Sequence, residues 1–257
     1  MGLISPWKVV LIGAMVVVTG CSSISHENEA PGLSVADVGT VEKEPLSETA
    51  IQDLLSDGRS ALEVRNHVRA QENFSRVLAN DKTNVDALLG LGEAFLIGKQ
   101  PKQALGAFVK VEKLSESDAR IKQGQGLALL AMGKVSGARS ALENAVAQDP
   151  ELWRAWNALG AVRDRLDQWE EARQAYDRAS ELRPDAVGPL NNKGISYLLE
   201  KKYSEAESEF REAVQRFPDS GKLRSNFRIA LAWQGKYVEA LTGVKKSDMP
   251  MVLNNIG

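Results

Sequence analysis

The sequence predicts an all-α protein: a solenoid of helix–turn–helix units behind a short apolar leader and a polar tether. Three observations predict it. Gly58, Gly92, Gly126, Gly160 and Gly194 lie 34 residues apart. Ala70, Ala104, Ala138, Ala172, Ala206 and Ala240 keep the same spacing. A large residue follows each of those alanines by four positions, at Phe74, Phe108, Leu142, Tyr176, Phe210 and Val244.

The leader comes first. Lys8 is the one charge in residues 1–20, and it precedes an uncharged apolar run, "VVLIGAMVVV". That run is shorter than the ~20 helical residues needed to cross a hydrocarbon core of about 30 Å. It suits the apolar region of a secretory signal over residues 1–20. The run closes on Val18-Thr19-Gly20-Cys21, and this resembles the lipobox of bacterial lipoproteins. The resemblance implies cleavage before Cys21 and attachment of lipid to its thiol. A multiply acylated cysteine is a stable anchor, since each buried methylene contributes ~0.8 kcal/mol. Ser22, in place of aspartate, implies export to the outer membrane by the enterobacterial sorting pattern.

Residues 21–50 are polar and acidic. Glu27, Glu29, Asp37, Glu42, Glu44 and Glu48 face one cation, Lys43. Such a stretch buries too little apolar area to offset its ordering entropy, so a disordered, lipidated tether is expected. A coil of that length spans roughly 30 Å.

The repeat then runs as units 51–84, 85–118, 119–152, 153–186, 187–220 and 221–249, with a partial unit at 250–257. Each unit reads as a helical hairpin. The small residue at place 8 and the alanine at place 20 let two helices approach. The large residue at place 24 fills the gap toward the next unit. Pro150, Pro184 and Pro218 stop second helices. Place 17 carries Trp169, Tyr203, Tyr237 and, in the first unit, His67, which reads as a packing residue at a turn. Arg228 replaces the place-8 glycine in the sixth unit, so a looser hairpin is expected there. "LNNKG" at 190–194 returns as "LNNIG" at 253–257, the start of a seventh first helix; truncation of a longer chain is the expectation.

These residues resemble the tetratricopeptide repeat. The unit 153–186 carries Trp156, Leu159, Gly160, Ala172, Tyr176, Ala179 and Pro184 at the family's places, with Arg163 as a departure. The resemblance implies a right-handed superhelix whose concave face is lined by places 2, 5, 6, 9, 12 and 13 of the first helices. Places 5 and 6 hold Asn157, Asn191, Asn192, Asn226, Asn254 and Asn255. An asparagine amide both donates and accepts, which suits gripping an extended peptide backbone. These six are the candidate peptide-binding groove.

Composition narrows the alternatives. The 257 residues carry a net charge of −2, with 43% apolar residues. No basic excess favours nucleic acid. One cysteine and two histidines, His26 and His67, give little material for metal or acid–base chemistry. No P-loop, HExxH, CxxC or nucleophile elbow is present. Gly90-Leu91-Gly92 and Gly124-Gln125-Gly126 begin like dinucleotide loops but do not continue as GxGxxG. A non-enzymatic protein without cofactor or metal is expected.

Residues 152–257 are similar to the TadD-type lipoproteins of tight-adherence (Flp) pilus systems, through "LWRAWNALGAVRDRLDQWEEARQAYDRASEL", "PLNNKGISYLLEKKYSEAESEFREAV" and "LRSNFRIALAWQGKYVEAL". That resemblance implies an outer-membrane scaffold or pilotin whose partners are a secretin or pilus-assembly components. A general envelope scaffold recruiting peptidoglycan or barrel-assembly proteins stays open. So does a periplasmic binding module that is never lipidated.

Overall fold

The computed structural model describes residues 45–115, 118–244, 247, 249, 250 and 254. The chain divides into two units, Met1–Lys43 and Glu44–Gly257, and the described residues all belong to the second. The expected leader, Cys21, His26 and the tether through residue 44 lie outside the described residues. So does the terminal "LNNIG", except for Asn254.

The described residues form twelve helices and no strand. They pair as α1 (Glu48–Glu63) with α2 (His67–Asn80), α3 (Val85–Ile97) with α4 (Pro101–Leu114), and α5 (Ala119–Ala131) with α6 (Val135–Gln148). The series continues with α7 (Trp153–Asp164) and α8 (Trp169–Leu182), α9 (Val187–Leu199) and α10 (Tyr203–Arg216), then α11 (Gly221–Trp233) and α12 (Tyr237–Leu241). Each helix packs on the next along the chain. The first helices also touch one another, α1 to α3, α3 to α5 and onward to α11. Second helices show no comparable contact among the described residues. First helices therefore crowd the inner side of the stack and second helices spread on the outer side.

The fold starts before residue 51. Ser47 caps α1, its hydroxyl accepting from the Ala50 amide at 3.2 Å, and Glu48 sits in the first turn. A serine cap and an early carboxylate both favour a helix N-terminus. The Leu46 amide donates to Asn80 Oδ1 at 2.9 Å, and its side chain packs on the first core cluster. Residues 45–50, expected in the tether, are the lead-in and first turn of the solenoid.

Second helices end at Gln148, Leu182 and Arg216, each two residues ahead of Pro150, Pro184 and Pro218. The hairpin turns share one geometry. Arg65, Lys99, Gly133, Asp167, Lys201 and Gly235, all at place 15, have positive φ. In the second turn the Lys99 amide donates to Leu96 O (3.1 Å) and the Gln100 amide to Phe95 O (2.8 Å). The other five turns repeat this pair of bonds. This is the Schellman arrangement, which satisfies carbonyls that a helix end leaves open.

The large residue at place 24 sits under two first helices. Phe74 is 1% exposed. A Cβ added at Gly58 would lie 2.6 Å from its ring, and one at Gly90, in the next repeat, 2.3 Å. Phe108 lies the same way between Gly92 and Gly124. The G-x-G pairs at 90–92 and 124–126 are thus packing features. Each places one glycine over its own repeat's large residue (Phe108 or Leu142) and one over the phenylalanine of the repeat before. His67 also packs at its turn, where a Cβ at Gly98 would meet the imidazole Cδ2 at 2.8 Å. The sixth hairpin, with Arg228 at place 8, has a second helix of five residues.

Candidate functional site

Three first helices, α7, α9 and α11, carry asparagines at places 5 and 6. The stacking brings place 5 of one repeat against place 6 of the next. Asn226 Nδ2 donates to Asn191 Oδ1 at 2.6 Å. Asn191 Nδ2 donates to Asn192 Oδ1 at 3.2 Å, and Asn192 Nδ2 to Asn157 Oδ1 at 3.0 Å. Four of the six predicted residues therefore form one continuous amide ladder across three repeats. Asn254 is helical and exposed. Asn255 lies outside the described residues.

The four do not play equal parts. Asn191 is 0% exposed, so its amide works inside the ladder and does not face a ligand. Asn157, Asn192 and Asn226 are half-buried. An NH₂ group has two hydrogens and an amide oxygen two lone pairs. Asn192 and Asn226 each use one hydrogen in the ladder and keep the other. Asn157 keeps both hydrogens, and the Asn226 oxygen takes no bond within the ladder. The ladder thus leaves spare amide hydrogens on three asparagines and an unused oxygen on Asn226, on side chains held in place by bonds to one another.

The ladder has flanks. Arg154 and Lys222, at place 2, lie one turn before Asn157 and Asn226 on the same helix faces. Arg154 also reaches Glu93, two repeats away, at 2.7 Å. One turn beyond the ladder stand Ala161, Ile195 and Ile229, all half-buried. A further turn on, Leu199 and Trp233 are exposed.

The first three repeats make a different surface. Leu55 and Gln123 at place 5 are buried, and place 6 holds Ser56, Gly90 and Gly124. A depression of about 210 Å³ opens there, lined by Arg59, Asp86, Leu89, Gly90, Glu93, Phe108 and Arg120. Asp118 clamps Arg120 with both carboxylate oxygens. That ion pair holds the Asp118 carboxyl below its ordinary value.

Under the ladder lies a polar cluster that the repeat pattern alone did not disclose. Asp164, 7% exposed, accepts the Ser196 hydroxyl at 2.6 Å and the Tyr176 hydroxyl at 2.7 Å. Burial pushes its carboxyl above the ordinary range, and the two hydroxyls with Arg173 pull down without cancelling it. The signal was present in the sequence. Place 12 is Leu62, Leu96, Leu130, Leu198 or Ala232 in the other units, and only the fourth has a carboxylate. Only that unit has tyrosine at place 24.

Two ion-pair networks brace the outer side. Arg173 contacts Glu200 at 2.6 Å and Glu170 at 3.0 Å, with its guanidinium 4.5 Å from the Tyr197 ring centre. Glu207 receives Lys236 at 2.7 Å, Gln234 at 2.9 Å, and Arg211. Burial pushes the Glu207 carboxyl up, but those three donors outweigh it and hold it down to about 2.

No group of three or more His, Cys, Asp or Glu side chains among the described residues is placed to hold a metal ion. No helix among them is long and apolar enough to cross a membrane.

A tetratricopeptide repeat family model matches residues 55–119, 124–187 and 162–221. The chain belongs to the tetratricopeptide repeat (TPR) family. Proteins of this family generally act as non-enzymatic scaffolds for contacts between proteins. A TPR repeat-containing protein of Pseudomonas aeruginosa is 36% identical over 75 residues, which are 29% of this chain and 13% of that protein. This chain thus spans only a small part of that relative. Among solved structures, a thermophilic TPR protein from Thermus thermophilus aligns over 70% of this chain and 98% of its own, with 20% identity and a TM-score of 0.63. PilF of Pseudomonas aeruginosa aligns over 75% and 87%, with 19% identity and a TM-score of 0.59. YrrB, a TPR protein described as having an unusual peptide-binding site, aligns over 68% and 94%, with 18% identity and a TM-score of 0.50. At these identities the likeness is one of fold.

Proposed function

We propose that this TPR chain is a non-enzymatic scaffold that grips an extended segment of a partner protein, and that it does so in the cell envelope during assembly of a tight-adherence pilus or secretion machine. The observation that carries the binding reading is the amide ladder Asn226–Asn191–Asn192–Asn157. A row of fixed, partly unsatisfied amides on the inner side of a helical stack matches the hydrogen-bonding needs of a peptide main chain. It places few demands on the peptide's side chains. A fold relative, YrrB, is itself described by its peptide-binding site.

The envelope part of the proposal rests on Val18-Thr19-Gly20-Cys21 and the acidic tether. Lipid on Cys21 would hold the solenoid at the periplasmic face of the outer membrane. The pilus part rests on the resemblance of residues 152–257 to TadD-type lipoproteins, which implies a secretin or another pilus component as partner.

One experiment tests both parts. Tagged protein is crosslinked mildly in native membranes, and its partners are read by mass spectrometry, in parallel with palmitate labelling of the wild type and Cys21→Ser. Label on the wild type alone, with secretin or pilus-assembly proteins enriched, is the expected result. Enrichment of cell-wall enzymes or barrel-assembly proteins would replace the pilus assignment with a general envelope scaffold. An unlabelled wild type would leave an unlipidated binding module.

A further inference from the structure

The ladder also has a charge. The helices that carry it, α7, α9 and α11, contain Arg154, Arg163, Lys193, Lys222, Arg224 and Arg228. They contain one carboxylate, Asp164, and it is buried. Several of the cations are already occupied. Lys193 lies between Asp177 and Glu209 at 2.9 and 3.0 Å. Arg163 donates to Glu171 O at 2.9 Å, and Arg224 to Pro218 O. Lys222 is exposed and has no ion-pair or hydrogen-bond partner among the described residues. Arg154 has a single acidic partner, Glu93, reached from two repeats away.

The two cations at place 2 stand on the same side of the ladder. On the other side are Ile195 and Ile229, and beyond them the exposed Leu199 and Trp233. A cross-section of the surface therefore reads cation, amide, aliphatic, aromatic. An extended chain laid along the amides sends alternate side chains to opposite sides. One set meets Arg154 and Lys222, and the other meets the apolar row. Adjacent helices pack roughly 8–10 Å apart. From Asn157 to Asn226 is two such steps, which roughly six extended residues at about 3.3 Å each cover.

We infer that the segment held on the ladder is an acidic one, in which carboxylates alternate with apolar side chains. This rests on the reading of the ladder as the docking surface. The carboxylates pair with Lys222 and compete with Glu93 for Arg154, while the apolar set covers Ile195, Ile229 and Trp233. Opposite charge across the contact also speeds encounter and excludes basic segments.

The test uses the full chain and a displayed library of random 12-residue linear peptides. Enriched peptides are synthesised, and their affinity is measured by fluorescence anisotropy at low and high salt. The expected peptides carry Asp or Glu alternating with apolar residues and weaken as salt rises. Lys222→Glu, an exposed change that leaves the fold intact, is expected to lower their affinity at least tenfold at low salt. Asn192→Ala, checked for folding by circular dichroism, is expected to lower it about fivefold. Enriched peptides that are neutral or basic yet depend on Asn192 would overturn the acidic assignment and keep the ladder as the docking surface. Peptides that bind Asn192→Ala as well as they bind the wild type would overturn the ladder reading, and this inference with it. Failure to enrich any peptide would overturn both.

Discussion

The first three repeats and the last three are built on one backbone plan and present opposite surfaces. In the first half, Gly90 and Gly124 open the inner face, and the phenylalanine beneath comes up to meet them. Phe108 lines the depression there. In the second half, Asn192 and Asn226 occupy the same place and stand over Tyr176 and Phe210, which are as buried as Phe74 and Phe108. Charge inverts as well. Helices α1, α3 and α5 carry Glu48, Asp53, Asp57, Glu63, Asp86 and Glu93 against Arg59, Arg120 and Lys122, whereas α7, α9 and α11 carry six cations against Asp164. The comparison teaches that place 6 decides the character of the groove. With glycine there, no side chain covers the ring below and the inner face is a depression. With asparagine, it becomes a hydrogen-bonding rail.

The largest expected effect comes from forcing one half to imitate the other. Gly90→Asn imports the later repeats' residue into the early repeats. Its Cβ would lie 2.3 Å from the Phe74 ring, which is wedged against Gly58 on its other side and cannot retreat. Overpacking of a filled core costs about 1–3 kcal/mol, and the added polar amide raises that further. A loss of about 4 kcal/mol is expected from denaturant midpoints. Gly90→Asn with Phe74→Leu should recover part of it. If Gly90→Asn alone is neutral, the two halves do not differ in the way described.

The ion-pair network of the second half gives the next effect. Glu207 has a folded value of about 2 against an ordinary 4.5. Because the folded value is depressed, its contribution is present above the unfolded value and fades as pH falls from about 5 toward 2. A shift of that size corresponds to about 3 kcal/mol at neutral pH, an upper figure. Glu207→Gln is therefore expected to cost about 2 kcal/mol at pH 7, with the gap to the wild type closing as pH approaches 2. Asp164 has the opposite sign. Its raised value means that it stabilises most below about pH 4 and loses that contribution as pH rises through the folded value. Asp164→Asn should thus flatten the decline of stability between acidic and neutral pH. A wild-type profile that both variants follow in parallel would remove these groups as its cause.

Asn191→Ala comes third. In the sequence, Asn191 and Asn192 have the same role, as candidate groove residues. The geometry separates them. Removing the Asn191 amide takes away two hydrogen bonds, to Asn226 Nδ2 and Asn192 Oδ1, worth about 1 kcal/mol each, from a fully buried position. A drop of about 2 kcal/mol is expected for Asn191→Ala and under about 1 kcal/mol for Asn157→Ala, which frees only the half-buried Asn192 Nδ2, both read from thermal melts. Equal losses would mean that the ladder is not transmitted through Asn191.

These outcomes mark how much was legible in the sequence. The period of 34 set out the helical hairpins, because Gly58, Ala70 and Phe74 and their equivalents must meet at fixed places for helices to pack. It also pointed to the asparagines. The burial of Asn191 was not legible, since it depends on how closely α9 and α11 approach. Nor was the second partner of each phenylalanine. The sequence excludes a nucleotide motif at Gly90 and Gly124 but does not say why glycine is needed; the ring of the preceding repeat beneath each one does. The Asp164–Tyr176–Ser196 cluster was written into two departures from the repeat, Asp164 and Tyr176, beside a serine that place 10 also carries at Ser60. Each departure belongs to a different place, so nothing in the linear pattern joined them.

The smallest effect concerns the turns, which were the least legible elements, and there both halves follow the same rule. All six place-15 residues are left-handed, yet only Gly133 and Gly235 are glycine. Holding that conformation costs a residue with a Cβ about 1–2 kcal/mol, while glycine loses more entropy on folding. The two terms partly cancel, so Lys99→Gly and Lys201→Gly should each raise stability by about 0.5–1 kcal/mol. The side chains differ in their surroundings. Lys201 follows Glu200, but Glu200 already binds Lys202 at 2.8 Å and Arg173 at 2.6 Å. Removing the Lys201 ammonium therefore breaks no pair that the network needs. Lys99 stands at the end of α3, a helix with Asp86 and Glu93 and no cation of its own, so its positive charge offsets that field and the helix dipole. The gain from Lys99→Gly should be the smaller of the two. Equal gains would mean that backbone conformation alone sets the turns. A smaller gain at Lys99 would show that the charge inversion between the halves extends to the hairpin ends.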